Sequence, residues 1–438
     1  MIEYLPLLLF AAVFILILAG YPVAFTLGGL SVLVGLWVFD VDFFYLLSLR
    51  VYGVMNNFVL LAVPLFVFMG IMLEKSGIAE RLLETISMLF GRFRGGLAVA
   101  VIIVGGLLAA STGIIGATVV TMGLISLPTM LKRGYDTGLA TGVIASSGTL
   151  GQIIPPSVVL VLLGSVLNVS VGDLFLAAVI PGLSLVGLYL IYVLATARLR
   201  PQLVPLIPQD EIDAFKQKGF TGELVKSFLF PFLLVLAVLG SIFAGIASPT
   251  EAAGVGAMGA AILTAVQGKL NLRIIKDASR ETVLITCMVF MIFIGATSFS
   301  LVFRGLEGDR FFLSIIESAN LQPYQFLFVV MLLVFFAGFF IDFIEIIFII
   351  VPIVAPIFVA LGIDLVWIGI LLAINLQTSF LTPPFGFALF YLKGVAPAGV
   401  KTMDIYRGII PFVIIQVVLL ALLVAFPEIV TFLPSLSN

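Results

Sequence analysis

Histidine is missing from all 438 residues, and cysteine occurs once, as Cys287 inside an apolar run. Those two shortages remove whole classes of chemistry. A lone thiol closes no disulfide within the chain, Cys/His metal sites cannot be assembled, and imidazole catalysis is out. Charge is scarce as well. Only 10% of residues are Asp, Glu, Lys or Arg, and a net charge of −2 offers no basic field to nucleic acid. No Gly-x-x-x-x-Gly-Lys-Ser/Thr loop exists, so ATP hydrolysis on the usual phosphate cradle is excluded. The first four residues, Met1-Ile2-Glu3-Tyr4, carry no Lys or Arg, which argues for a retained first helix over a signal peptide.

What is abundant is hydrocarbon. Hydrophobic residues make up 62% of the chain, with 40 Phe and 42 Gly, the composition of an all-α polytopic membrane protein with close helix packing. Apolar runs predict helices over 4–20, 23–39, 55–73, 97–131, 138–165, 173–196, 228–246, 252–268, 282–303, 323–360, 364–392 and 406–426. Residues 75–94, with Lys75, Arg81, Arg92 and Arg94 among Leu and Ile, predict an amphipathic helix on the cytoplasmic face. The runs 97–131 and 323–360 are too long for one crossing of a hydrocarbon core about 30 Å thick. Each has a polar or acidic point at its middle, Ser111-Thr112-Gly113 and Asp342, so each reads as a re-entrant hairpin. Two further runs read as broken helices, at Ser146–Pro156 and at Asn375–Pro384. Their Gly, paired Pro and hydroxyl residues free backbone groups that only protein or an aqueous cavity can satisfy at membrane depth.

The pattern occurs twice. Pro128, Gly134, Asp136, Pro155 and Pro156 recur at an offset of 228 as Pro356, Gly362, Asp364, Pro383 and Pro384. Ala19-Gly20 and Pro22 likewise answer Ala244-Gly245 and Pro249. The expected organisation is a repeat over 1–196, a charged cytoplasmic linker at 197–227, a second repeat over 228–426 and a tail at 427–438. Five transmembrane helices and one hairpin cross the bilayer an odd number of times, which inverts the second repeat. With the N-terminus outside, 18 of the 21 basic residues fall in cytoplasmic segments, leaving Arg50, Arg304 and Arg310 outside. The hairpins then enter from opposite sides and their tips meet near the midplane. Paired interrupted helices of this kind point to the substrate and ion sites of a transporter.

The candidate residues each have two readings. Ser111-Thr112-Gly113 either caps the returning arm or, opposite 146–156, joins a cage of oxygen atoms for a hard cation such as Na⁺. Half-helix N-termini at the same breaks suit a carboxylate. At the second tip Gly338 and Asp342 face Asn375–Thr382. Asp342 reads equally as an N-cap and as a cation ligand or proton relay, and Glu345 shares either role. Ser248-Pro249-Thr250-Glu251 reads as a capping box, which makes Glu251 structural. Arg304 either snorkels outward or holds a substrate anion. Ser298, with Thr297 beside Gly295, either faces a substrate cavity or joins helices. Ser146 and Asn375, inside the breaks, complete the candidate substrate set.

Several stretches carry a family likeness. Gly134-Tyr135-Asp136, Ser147–Ser157, Ser248–Ala253, Gly338–Asp342 and Leu381-Thr382-Pro383-Pro384-Phe385-Gly386 resemble the large membrane subunit of tripartite ATP-independent periplasmic (TRAP) transporters. The resemblance runs from the first helix to about residue 425. It implies an elevator-type fold in the bacterial inner membrane, N-terminus periplasmic, and a secondary active carrier of small organic acids driven by a Na⁺ gradient, not an enzyme. It also implies a small four-helix membrane partner and a periplasmic substrate-binding protein. With no four-helix segment before residue 4, the small subunit is expected as a separate chain.

By position, one Na⁺ site would join Ser111, Thr112 and Gly113 to Ser147, Gly148, Thr149 and Gly151. The other would join Gly338 and Asp342 to Thr378, Ser379 and Thr382. Ser379 stands where relatives often carry Gly, and adds a hydroxyl. Rival readings are a standalone Na⁺- or H⁺-coupled dicarboxylate/citrate-type carrier, an intramembrane enzyme and a channel. Asp342 has no partner acid in any motif to make the enzyme, and repeated breaks favour alternating access over a continuous pore.

Overall fold

A chain this apolar has to satisfy its backbone hydrogen bonds within itself, and in lipid only helices do that segment by segment. In the computed structural model, which describes residues 4–437 apart from 114, 218–221, 223 and 319–320, the regular structure is helical. The first half comprises α1 (Leu5–Leu18), α2 (Val23–Val38), α3 (Tyr45–Met55), α4 (Ala62–Lys75), α5 (Ile78–Phe90), α6 (Gly96–Thr112), α7 (Ile115–Lys132), α8 (Thr137–Thr149), α9 (Val158–Leu167) and α10 (Val171–Leu199). In the linker lies α11 (Gln209–Gln217). The second half comprises α12 (Phe230–Phe243), α13 (Pro249–Val266), α14 (Leu272–Gly305), α15 (Gly308–Ser318), α16 (Pro323–Ala337), α17 (Phe343–Ile349), α18 (Val351–Ala360), α19 (Leu365–Leu381), α20 (Phe387–Val395), α21 (Thr402–Ala425) and α22 (Glu428–Ser437).

The apolar runs account for most of these. Among the described residues, six helices are long and apolar enough to cross a membrane unaided: 58–75 with its leading turn, α7, α10, α13, α14 and α21. The expected amphipathic helix is α5. Both overlong runs divide near their polar points. α6 stops at Thr112, and Gly113 follows with φ +61, a left-handed turn that glycine takes without a Cβ clash. The second run divides at 338–342, and its returning arm bends by 50° between α17 and α18. At Ser248 the capping box forms as expected: the Ser248 hydroxyl accepts from Glu251 N–H, and the Glu251 carboxylate accepts from Ser248 N–H at 2.8 Å. The tail, by contrast, is not extended chain; α22 packs on α10. α3 and α15, neither read from the sequence, flank the outer ends of α2 and α14.

The helices fall into two packed groups. α2 lies along α14, while α4 lies against both α13 and α14, and α12 against α13. The other group is built on α8, which is flanked by α6, α7 and α21, with α10, α16 and α19 around them. Its tightest joint is glycine on glycine. Gly138 and Gly142, one turn apart on α8, face Gly408 on α21, and a Cβ at Gly408 would overlap the Gly138 carbonyl. The small-xxx-small spacing brings the two backbones into direct contact. The groups meet where α4 crosses α6 and α9, and where α14 meets α17.

Candidate functional site

Each polar point has a local cause. On α8, hydroxyls donate back into their own helix: Ser146 Oγ to Gly142 O at 2.7 Å, Ser147 Oγ to Ile144 O at 3.1 Å and Thr149 Oγ1 to Ser146 O at 2.9 Å. All three residues are fully buried. The helix therefore survives to Thr149, tightens through Leu150–Gln152 and resumes at Val158 after the two prolines. On α19 the same device operates, with Thr378 Oγ1 on Ile374 O at 2.7 Å and Ser379 Oγ on Leu376 O at 2.8 Å. This corrects the expected extent of both breaks, since Ser146–Thr149 still belongs to α8. Asn375–Leu381 is helical, and the interruption covers 382–386, because a residue ahead of proline is pushed out of the helical region. Thr382 has ψ 124 and still donates to Thr378 O at 2.8 Å.

A hydroxyl that gives its proton to a carbonyl behind it keeps its lone pairs facing outward. Such oxygens suit a hard cation without any charged ligand.

The hairpin turns pack onto these helix ends. A Cβ at Gly105 would sit 2.5 Å from Ser147 Oγ, one at Gly113 2.8 Å from Val158, and one at Gly148 2.6 Å from Val119. Gly151 abuts the Ala109 carbonyl. Across the other half, Gly338 abuts Ser379, with the Ser379 Cβ 2.8 Å from where an added Cβ would stand. The offset of 228 carries Gly151 to Ser379 and Ala110 to Gly338. Gly338, with no side chain of its own, leaves the room in which the Ser379 side chain is housed.

Of the site residues named from the sequence, Gly338 lies against Ser379 and Gly151 against the Ala109 carbonyl near the end of α6, while Gly113 packs on Val158 at the start of α9 and Gly148 on Val119 of α7. The side chains of Ser111 and Thr112 lie outside the described part. Asp342 caps α17, accepting Phe343 N–H at 2.7 Å, while its own N–H donates to Glu345 at 3.2 Å. Both carboxylates are half-buried beside the second turn.

The candidate substrate residues do not converge. Asn375 donates to Met331 O at 2.7 Å, tying α19 to α16. Ser298 is buried within α14, and Ser146 within α8. Thr297, beside Ser298, lines a cavity of about 360 Å³ open between the two helix groups, and so does Arg304. Facing it across this space is Arg50, which the sequence reading left aside. Arg304 lies 3.6 Å from Asp309, whereas Arg50 has no ion pair among the described residues. Burial and then the Arg304 charge hold Arg50 below its ordinary pKa, and burial pushes Asp309 up against the pull of Arg304. Two cations against one carboxylate make a basin for an anion. Asn57, Ser165, Thr297 and Ser300 add polar groups, with Asn57 Nδ2 on Ser165 Oγ at 3.0 Å.

Sequence reading also missed three polar residues, two of which join distant elements. Gln377 Nε2 donates to Thr149 Oγ1 at 3.4 Å, linking the two helix ends at the centre. Their separation, 228, equals the repeat offset. Gln152 is fully buried with neither amide atom partnered, and Gln377 Oε1 is likewise unpartnered. An orphaned amide at that depth costs about 1–3 kcal/mol until something polar meets it. Glu74 on α4 accepts from Thr121 on α7 at 2.6 Å, a polar bond across the two groups.

Known proteins share sequence and fold with this chain. Residues 10–429 match the family described as "Tripartite ATP-independent periplasmic transporter, DctM component". The C4-dicarboxylate TRAP transporter large permease protein DctM of Vibrio cholerae is 32% identical over 98% of this chain and 97% of its own length. The ectoine TRAP transporter large permease protein TeaC of Halomonas elongata is 31% identical over 86% of each. The crystal structure of the Alcanivorax borkumensis YdaH transporter shares the fold, with a TM-score of 0.64 over 97% of this chain and 99% of that one at 16% identity.

Proposed function

Because the chain belongs to the DctM component family of TRAP transporters, we propose that it is the membrane-embedded permease of a Na⁺-gradient-driven importer of small organic acids. Family membership makes it a multi-pass inner-membrane transport subunit and not an enzyme, and a tripartite system implies a small membrane subunit and a periplasmic binding protein. The finer reading is ours: two inverted repeats, with the α8 group carrying substrate past the α4–α14 group in an elevator motion.

The observation that carries it is the meeting of Thr149 and Gln377. Residues one repeat offset apart touch when they lie on a two-fold axis, and this pair lies between two buried hydroxyl clusters, each backed by a hairpin turn. Na⁺ would take outward lone pairs of Ser147 and Thr149 in one cluster, and of Thr378, Ser379 and Thr382 with Asp342 in the other. The Arg50–Arg304 basin, placed between the groups on the side that charge assigns to the periplasm, would receive the carboxylate of an arriving acid. The relatives transport differently named substrates, so the particular acid is set elsewhere, in keeping with a binding protein that selects.

The test is uptake of a labelled C4-dicarboxylate into proteoliposomes holding this chain and its small membrane partner, with the binding protein outside. Uptake should require an inward Na⁺ gradient and the binding protein, and should ignore ATP. Equal uptake with K⁺ replacing Na⁺ would remove the coupling, and uptake without the binding protein would favour a standalone carrier.

A further inference from the structure

A second basic cleft lies within the α8 group, away from the boundary between groups that the substrate route uses. It has a volume of about 470 Å³ and is formed by the end of α10, the start of α8 and the first turns of α21. Arg200 and Arg407 line it with Tyr192 and Thr196, and neither arginine has an ion pair among the described residues. Asp136 also lines it, but Asp136 Oδ1 accepts Leu139 N–H at 2.9 Å and is committed to capping α8. Charge distribution puts this end of the molecule on the cytoplasmic side, at the level of lipid headgroups.

Beneath the arginines the walls turn to hydrocarbon. Ile191 on α10 lies one turn below Ala195, and Ile414 on α21 lies one turn below Pro411, two residues of the cleft. Ile191 is 62% exposed and Ile414 56%, and Leu199 at the rim is 80% exposed. A soluble anion needs the arginines alone. A charged pocket continuous with a lipid-facing apolar strip matches a molecule that is anionic at one end and hydrocarbon at the other.

We propose that this cleft binds the phosphate headgroup of an anionic phospholipid of the cytoplasmic leaflet, Arg200 and Arg407 on the phosphate and an acyl chain along Ile191 and Ile414. Arginine suits the role because its planar fork pairs two phosphate oxygens at once. The site is separate from the proposed ion and carboxylate positions, and its leaflet rests on the orientation derived from the basic residues.

The experiment compares the full chain with its small membrane partner in nanodiscs of phosphatidylcholine, with and without phosphatidylglycerol. Phosphatidylglycerol should raise the apparent unfolding temperature of the wild type. The Arg200→Gln/Arg407→Gln double variant should match the wild type in pure phosphatidylcholine and lose most of that rise. An equal rise in the variant would overturn the site, and an equal rise from inorganic phosphate on pure phosphatidylcholine discs would overturn the lipid in favour of a soluble anion. A phosphatidylglycerol with a photoreactive headgroup, used on the wild type, serves as the second measurement. Adducts should fall within 136–139, 192–203 and 403–411, and adducts confined to other segments would sink the proposal even if the double variant misfolds.

Discussion

Replacing Gly338 by Ala places a methyl group where Ser379 already stands. The Ser379 Oγ falls inside contact distance and the Ser379 Cβ would be 2.8 Å away, well short of ordinary contact at 3.4 Å or more. Turning the hydroxyl aside relieves only the first clash, so α19 and the hairpin must separate by at least about 0.6 Å. Overpacking on this scale costs about 1–3 kcal/mol. The next atom, Val334 O, lies 3.5 Å off and offers no resistance, so the whole penalty belongs to Ser379. Gly338→Ala should therefore be destabilising in the Ser379 background, less so with Ser379→Ala, which keeps the Cβ, and nearly neutral with Ser379→Gly. The single Ser379→Gly variant should itself lose about 0.5–1 kcal/mol, the usual penalty of helical glycine, plus the bond to Leu376 O. The assay is the apparent unfolding midpoint of the purified variants at one heating rate, arranged as a double-mutant cycle. A coupling of about 1–3 kcal/mol is expected. Strict additivity, or a Gly338→Ala variant as stable as the wild type, would refute the close packing of hairpin turn on helix end.

Four further outcomes are expected. Asp342→Asn keeps the capping oxygen and removes the charge, so the variant should insert normally yet lose roughly tenfold or more of Na⁺-driven uptake, about 1.4 kcal/mol in the coupled step; near-normal uptake would leave Asp342 a cap. Ser147→Ala and Thr149→Ala should each raise the Na⁺ concentration for half-maximal uptake several-fold, and unchanged Na⁺ dependence in both would return α8 to a structural role. Arg50→Gln or Arg304→Gln should raise the half-saturating substrate concentration roughly tenfold, the worth of one charge-assisted contact, with the Na⁺ requirement intact; a changed Na⁺ requirement with unchanged saturation would separate these residues from the anion. Cysteines placed near Lys132 should label only from the cytoplasm and those near Gly362 only from outside, and labelling of both from one side would contradict the inversion.

Much of this architecture is written in local sequence. Apolar run length located the long helices, the glycine at 113 marked the first turn, and Ser248–Glu251 declared its capping box, because each depends on neighbours within a few residues. The depth of the second break was misjudged. Hydroxyls alone do not loosen α19: those of Thr378 and Ser379 stay bonded to their own helix, and the chain first leaves it at Thr382, the residue before Pro383. Arg50 was missed for a different reason. Its significance comes from Arg304, more than 250 positions away in the chain, and from burial that no window of sequence reports. Gln152 and Gln377 were hidden likewise, since an amide is ordinary until its surroundings deny it a partner.

The glycine joint between α8 and α21 sets where this protein can and cannot slide. Sliding one helix past the other by a single residue, a rise of about 1.5 Å, would bring a Cβ-bearing neighbour onto bare backbone. The close backbone contact therefore resists such sliding and ties α21 to the helix that carries the first hydroxyl cluster. The boundary between α4 and the α8 group is of another kind. There side chains meet side chains, as where Phe66 and Phe175 stand 6.3 Å apart between ring centroids, and rotamers can yield in turn. A backbone-on-backbone joint inside the α8 group and side-chain contacts along its edge toward α4 therefore resist displacement to different degrees.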